Sequence, residues 1–238
     1  MNLFLPKTKL NNEEELLERC SQIEGLSFLQ LAASLQLTIP AESKRRKGWT
    51  GMAIELALGT TAGNRAKPDF ENLGIELKTL PLNENRKPAE STFVTSIPLL
   101  TIHQQSWLSS QCYLKLKRVL WLPIEGDITI PFEHRRIGRG FLWSANQSEA
   151  KILEEDWSEL TSMIATGRLD EINAGLGQYL QIRPKGANAK SLCYHFDSEG
   201  TKVLTLPRGF YLRASFTNQI MKANFECIEN PCIQNKNR

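Results

Sequence analysis

Cysteine is sparse and unpatterned in this 238-residue chain. Cys20, Cys112, Cys193, Cys227 and Cys232 are odd in number and include no Cys-x-x-Cys pair, so neither a disulfide framework nor a zinc site is indicated. A reducing cytosol is the expectation. The three histidines, His103, His134 and His195, show no metal-ligand spacing; a surface or structural role is the default for each, with a catalytic base left open. No apolar run approaches the length of a membrane span. The first residues, 1–7, lack the charged start and long apolar core of a signal peptide. A soluble cytoplasmic protein that does not meet a membrane is expected. Net charge is small, +3 with a pI near 8.6, which permits a polyanionic partner without requiring one. There is no internal repeat and no low-complexity tract. Hydrophobic and charged contents of 41% and 23% are ordinary for a globular protein, and the length fits one domain of two lobes sharing a core.

What is present centres on Pro68-Asp69-Phe70-Glu71-Asn72-Leu73-Gly74-Ile75-Glu76-Leu77-Lys78. Ile75 and Leu77 alternate with Glu76 and Lys78, the period of a strand with one face buried, so the carboxylate and the ammonium project together, about 6.6 Å apart along the strand. A fold-over at Gly74 returns Asp69 to the same end. Two carboxylates and a lysine would then surround one point. Oxygen donors of this kind suit Mg²⁺, and the lysine suits a developing phosphoryl charge. Three Glu-x-Lys tripeptides occur, at Glu42, Glu76 and Glu149. Only the one at Glu76 has strand-like neighbours and a preceding Pro-Asp. The alternative is a surface strand carrying a solvated Glu/Lys pair.

Asn11 or Asn12 caps a predicted helix to about Ile23, with three glutamates in its first turn, and Ser27 caps a second over 28–37. Lys44-Arg45-Arg46-Lys47-Gly48-Trp49 reads as a basic loop, either solvated or in contact with nucleic acid. Residues 49–58 read as a buried helix in which Glu55 is the one acid. Glu55 needs a partner there, either the basic run or a metal site. Residues 91–97 form a strand with Phe93, most simply core. Lys115 and Lys117 alternate with apolar neighbours ahead of a central strand over 119–124, so both can point along the polar face of the site. The amphipathic helix at 148–165 has Leu153, Trp157, Leu160 and Ile164 on one face. Residues 179–183 form a strand leading to a Gly/Asn-bearing loop with two lysines. Residues 202–206 and 210–213 read as two strands joined, and so paired, through Pro207-Arg208-Gly209, and a helix over 214–225 precedes a polar tail, 226–238. Interleaved helices and strands favour a mixed α/β (α+β) fold with a central mixed sheet flanked by helices, and a DNA-processing nuclease is the leading deduction.

Several blocks in order closely resemble the MutH family of DNA mismatch repair endonucleases: Gly48-Trp49-Thr50-Gly51, Pro68-Asp69 with Glu76-Leu77-Lys78, 116–121, 179–185 and 204–212. The resemblance spans about 11–225. It implies a restriction-endonuclease-like fold of two lobes around a DNA cleft, an active-site lobe of roughly 45–125 and a DNA-reading lobe of 126–225. It also implies a bacterial cytoplasmic monomer that nicks the unmethylated strand at hemimethylated GATC with Mg²⁺, one or two ions, and is stimulated by MutL after MutS detects a mismatch. Residue by residue, Asp69 and Glu76 match metal-binding carboxylates and Lys78 the catalytic lysine, with Glu55 and Lys115 at supporting positions. Lys47 and Gly48 match DNA contacts near the active site, and Phe93 a cleft residue. Arg183, Pro184, Lys185 and Gly186 match the base-reading loop, and Tyr211 the position that senses adenine methylation. By the residues alone, Tyr211 reads as core at a strand end. Two rivals share these features: a type II restriction endonuclease recognising GATC and a non-catalytic DNA-binding protein.

Overall fold

The computed structural model describes residues 10–60, 67–186 and 191–229. The expectations for 1–7, for most of the link at 59–67, for 187–190 of the base-reading loop and for the tail beyond 229 fall outside them. In chain order the elements are α1 (Glu13–Ile23), α2 (Phe28–Leu35), α3 (Ser43–Leu58), β1 (Glu76–Leu82), β2 (Thr92–Ser96), α4 (Gln111–Leu116), β3 (Val119–Glu125), β4 (Phe141–Trp143), α5 (Gln147–Ala165), β5 (Leu180–Pro184), β6 (Cys193–Phe196), β7 (Lys202–Thr205), β8 (Arg208–Leu212) and α6 (Ala214–Glu229). They form two compact units. The first comprises 1–89 and 117–144, the second 90–116 and 145–238.

In the first unit, the Asn12 side chain accepts from the Glu15 amide at 2.9 Å, and Glu13, Glu14 and Glu15 sit where the helix dipole favours anions. Ser27 and Gln30 close a reciprocal capping box on α2. The basic run is not a loop: α3 begins at Ser43 and carries Lys44 to Lys47 as its first turns. Burial of Trp49, Thr50, Ala53, Ile54 and Leu58 on one side holds the helix and outweighs the unfavourable placing of four cations at its N-terminal end, where Lys and Arg still contribute good helix propensity. Trp49 meets Phe28 and Phe132 edge-on, while the Arg46 guanidinium lies 5.1 Å from the Phe132 ring centre. The sheet β1-β3-β4 is mixed. β1 runs parallel to β3 with Glu76 beside Val119 and Lys78 beside Trp121, and β4 is antiparallel to β3. Every residue from Val119 to Ile124 is buried, as a central strand requires.

In the second unit, β8 lies between β2 and β5, antiparallel to both. The expected pairing across Pro207-Arg208-Gly209 does not form. β7 pairs with β6, because β8 gains two partners and buries Gly209, Phe210 and Leu212 in the middle of a sheet. The mixed α/β architecture is as expected, and among the described residues its strands form a mixed sheet in the first unit and antiparallel sheets in the second. On α5, capped by Asn146 and Glu149, Leu153, Trp157, Leu160 and Ile164 are buried as their spacing predicts. The buried Asp156 carboxylate accepts from the Gln178, Tyr179 and Leu180 amides at 2.7, 2.7 and 2.8 Å. Arg213 donates to the carbonyls of Ala174, Leu176 and Gly177. These two charges fix the approach to β5 by satisfying backbone groups that burial would otherwise penalise. Among the described residues no helix is long and apolar enough to cross a membrane.

Candidate functional site

Asp69 reaches β1 through a tight turn. The Phe70 carbonyl accepts from Leu73 and Gly74, the Phe70 amide donates to Ile75 at 2.9 Å, and Gly74 takes φ +67°, a left-handed conformation that glycine adopts without strain. The chain doubles back, and the Leu77 amide donates to Asp69 Oδ2 at 2.8 Å. On its other side, Thr60 Oγ1 donates to the Asp69 carbonyl at 2.5 Å and the Thr60 amide donates to the Glu55 carbonyl at 3.0 Å. The end of α3, the turn and the start of β1 are therefore one hydrogen-bonded corner.

Lys78 Nζ donates to Glu76 Oε1 at 2.7 Å, with their side chains only 11% and 3% exposed. A solvated surface pair is excluded by that burial. Because successive strand residues face opposite ways, Glu76 and Lys78 share one side of β1. The Glu76 amide donates to the Arg118 carbonyl at 3.0 Å, which fixes this residue to the chain just ahead of β3. A buried carboxylate beside an ammonium is costly to assemble and hard to leave half-made, so its place at the start of β1 points to chemistry rather than stability.

Glu55 lies half-buried on α3. A side chain on Gly51 would come 3.9 Å from Glu55 Oε1, so the carboxylate extends back over that glycine. Lys47 and Gly48 are exposed on the same helix. Among the described residues no three His, Cys, Asp or Glu side chains gather as a cation-holding group, so the structure does not bring Glu55 into one such cluster with Asp69 and Glu76. The donor set is nonetheless all hard oxygen, and Mg²⁺ commonly takes one or two carboxylates and completes its shell with water and substrate phosphate. The residues present fit that ion.

Lys115 sits in the last turn of α4 in the second unit. Its expected alternation with Lys117 along a strand does not occur. α4 ends at Leu116 and β3 begins only at Val119, since the Lys115-Leu116-Lys117 spacing suits a helix end as well as a strand.

The remaining expected residues gather on the sheet β2-β8-β5. Phe93 pairs with Tyr211 across β2 and β8, their rings edge to face at 5.3 Å. The Lys185 ammonium stands 3.4 Å from the Phe93 ring centre and donates to Ser96 Oγ at 3.2 Å. The Arg183 guanidinium lies 6.0 Å from the Tyr211 ring centre and donates to Ser91 Oγ at 2.6 Å. Pro184 and Gly186 are exposed beside them. Half-buried, Tyr211 is not simply core. Ser91 and Ser96, which bond residues 92 and 89 positions away, escaped sequence reasoning because such a serine carries no local signal, and so did Thr60, nine positions from Asp69 across the turn.

A family profile described as "MutH: DNA mismatch repair enzyme MutH" matches residues 58–156. Relatives named "DNA mismatch repair protein MutH" include one from Vibrio campbellii, 45% identical over 219 residues, covering 92% of this chain and 97% of the relative. One from Pasteurella multocida is 48% identical over 210 residues, 88% of this chain and 95% of the relative. One from Serratia proteamaculans is 46% identical over 214 residues, 90% and 94% respectively. With the mixed α/β architecture, the Asp69 turn and the buried Glu76–Lys78 pair already in place, the chain belongs to the MutH family of DNA mismatch repair enzymes.

Proposed function

We propose that this MutH-family endodeoxyribonuclease nicks the unmethylated strand at hemimethylated GATC during methyl-directed mismatch repair, with Asp69, Glu76 and Lys78 making the cut. The buried contact between Lys78 and Glu76 at 2.7 Å, next to an Asp69 held by the Leu77 amide, carries the reading. Asp69 and Glu76, with Glu55 by family resemblance, would hold Mg²⁺, one or two ions. Bound there, the ion supplies Lewis acidity to the scissile phosphate and lowers the pKa of water. Lys78 orients the attacking water and offsets negative charge as the new oxygen–phosphorus bond forms and the bond to the departing sugar oxygen breaks, that oxygen leaving with a proton. Turn and strand hold both carboxylates before substrate arrives, so little reorganisation is needed. Lys115 belongs to the machinery by resemblance alone.

Lys185, Arg183 and their loop, with Pro184 and Gly186, read bases in the major groove, where the adenine amino group is displayed. Tyr211, braced by Phe93, distinguishes that amino group from its methylated form. Lys47 and Gly48 approach the DNA backbone from α3. One cutting site in a monomer yields a nick, and MutL, acting after MutS, stimulates it in the bacterial cytoplasm.

The test is supercoiled plasmid carrying hemimethylated GATC, incubated with Mg²⁺ with and without MutL. Open-circle product that requires Mg²⁺, rises with MutL and vanishes in Glu76→Ala and Lys78→Ala is expected. Linear product without MutL would identify a restriction enzyme instead, and no product at all would refute the nuclease assignment.

A further inference from the structure

We infer that Gly209 is a specificity-determining positioning residue, whose missing side chain leaves the space in which Phe93, Tyr211 and Lys185 meet. The inference rests on the role given to Tyr211 above. Gly209 occupies the middle of the sheet, opposite Ser96 on β2 and opposite Arg183 on β5. It precedes Tyr211 by two, so both point to the same side. A Cβ there would stand 2.9 Å from Phe93 Cε2, 3.3 Å from Tyr211 Cε2 and 3.2 Å from the Thr95 carbonyl oxygen. Each distance is tighter than ordinary van der Waals contact, so both rings would have to give.

Conformation is not the reason for glycine here, because its φ lies outside the left-handed region. Glycine weakens a strand interior and often marks a close approach, so space is what the position supplies. What fills the space is specific. Lys185 donates its own amide to Pro207 at 2.7 Å, on the β5 side of β8, yet its ammonium reaches Ser96 and the Phe93 ring on the β2 side. Two strand spacings, roughly 10 Å, separate those sides. The lysine therefore reaches from beside Pro207 to Ser96, the β2 residue that stands opposite Gly209. One added methyl group would displace the Phe93 ring, and with it both the brace on Tyr211 and the aromatic seat of the Lys185 ammonium.

The experiment measures nicking of hemimethylated and fully methylated GATC duplexes by the full chain with Mg²⁺ and MutL. The proteins are the parent, Gly209→Ala, Tyr211→Ser, Phe93→Leu and the Gly209→Ala/Phe93→Leu double variant, each with a thermal unfolding curve. Gly209→Ala is expected to lower the preference for hemimethylated over fully methylated DNA by roughly tenfold, the order expected for one carbon in a tight recognition site, with melting within about 4 °C of the parent. Phe93→Leu removes the nearest of the atoms that Cβ would strike, so on that background Gly209→Ala should change the preference much less than in the parent, a non-additivity diagnostic of contact. Unaltered preference in Gly209→Ala while Tyr211→Ser has lost it would overturn the inference and leave Tyr211 in place. Full preference in Tyr211→Ser would remove the Tyr211 reading and the inference with it. Additive effects, or a collapse in melting temperature for Gly209→Ala, would make the glycine merely structural and also overturn it.

Discussion

Lys78→Met separates the charge of Lys78 from its packing, since methionine keeps much of the apolar stem and removes the ammonium. At 2.7 Å and an effective dielectric of about 20, the attraction between Glu76 and Lys78 is roughly 6 kcal/mol before solvation is counted. Desolvation of both groups offsets part of that gain. Removing one member of a buried pair nevertheless costs about 3–5 kcal/mol, because the other charge stays behind. With side chains 3% and 11% exposed, solvent screens this pair weakly. For a chain of this length each kcal/mol lowers the melting temperature by about 2–4 °C, so a fall of about 6–20 °C is expected without divalent metal. Mg²⁺ should then raise the melting temperature of Lys78→Met more than that of the parent, since the cation supplies the positive charge that the variant lacks. Nicking should be lost whether or not Mg²⁺ restores stability. Differential scanning calorimetry with Mg²⁺ or EDTA reads the first two effects and plasmid relaxation the third. A Lys78→Met protein that melts with the parent, or gains no more from Mg²⁺, would refute the reasoning that Glu76 is a buried, metal-competent carboxylate.

Asp69→Asn keeps an acceptor for the Leu77 amide and should melt within about 1 kcal/mol of the parent while losing nicking; Asp69→Ala should add about 1–3 kcal/mol of destabilisation by urea titration. If Asp69→Asn nicks normally, the carboxylate is structural. Asp156→Ala strips the acceptor from three backbone amides at the approach to β5 and should cost about 3 kcal/mol or more, visible as early thermal unfolding; a neutral result would mean that water replaces the carboxylate. The Arg118 guanidinium, donating to Glu13, holds that carboxyl below its ordinary value. A depressed folded value means that the pair stabilises the protein above the ordinary carboxylate range and that the contribution is lost as pH falls through the folded value. With Glu13 42% exposed, the effect should stay below about 1 kcal/mol. Glu13→Gln should therefore lose less stability than the parent on acidification, and equal losses would show that the pair contributes nothing.

What the sequence made legible was local. Asn12 and Ser27 announced their helices because a cap needs only a side-chain oxygen and the next few amides. The spacing on α5 and the apolar run of β3 declared buried faces, and Gly74 marked the turn that returns Asp69 to Leu77. The residues alone led as far as a DNA-processing nuclease; the family blocks added the expected substrate and strand choice, which no spacing could. Errors arose wherever neighbours in space are distant in sequence. The four cations of α3 looked like a loop because the packing of Trp49 and Ile54 that extends the helix is tertiary. β8 looked like the partner of β7, but strand choice is settled by competition with β2 and β5. Lys185 and Ser96 are separated by 89 positions and Arg183 and Ser91 by 92, so no pattern along the chain could pair them.

The three crossings between units, at 89/90, 116/117 and 144/145, bear on how the protein is made. β1 and β3 are parallel neighbours, and parallel strands require a long connection. Here the connection includes 90–116, which belong to the other unit. As the chain leaves the ribosome, the first unit cannot finish before residue 144 emerges, by which time part of the second is already out and waiting for β5, β8 and α6. No stage of synthesis yields one finished unit with the other not yet begun, and loop closure of this length slows pairing. Equally, no single protease cut can release either unit intact. The unit that carries Asp69, Glu76 and Lys78 and the unit that carries Arg183, Lys185 and Tyr211 must therefore be synthesised, folded and degraded as one indivisible product.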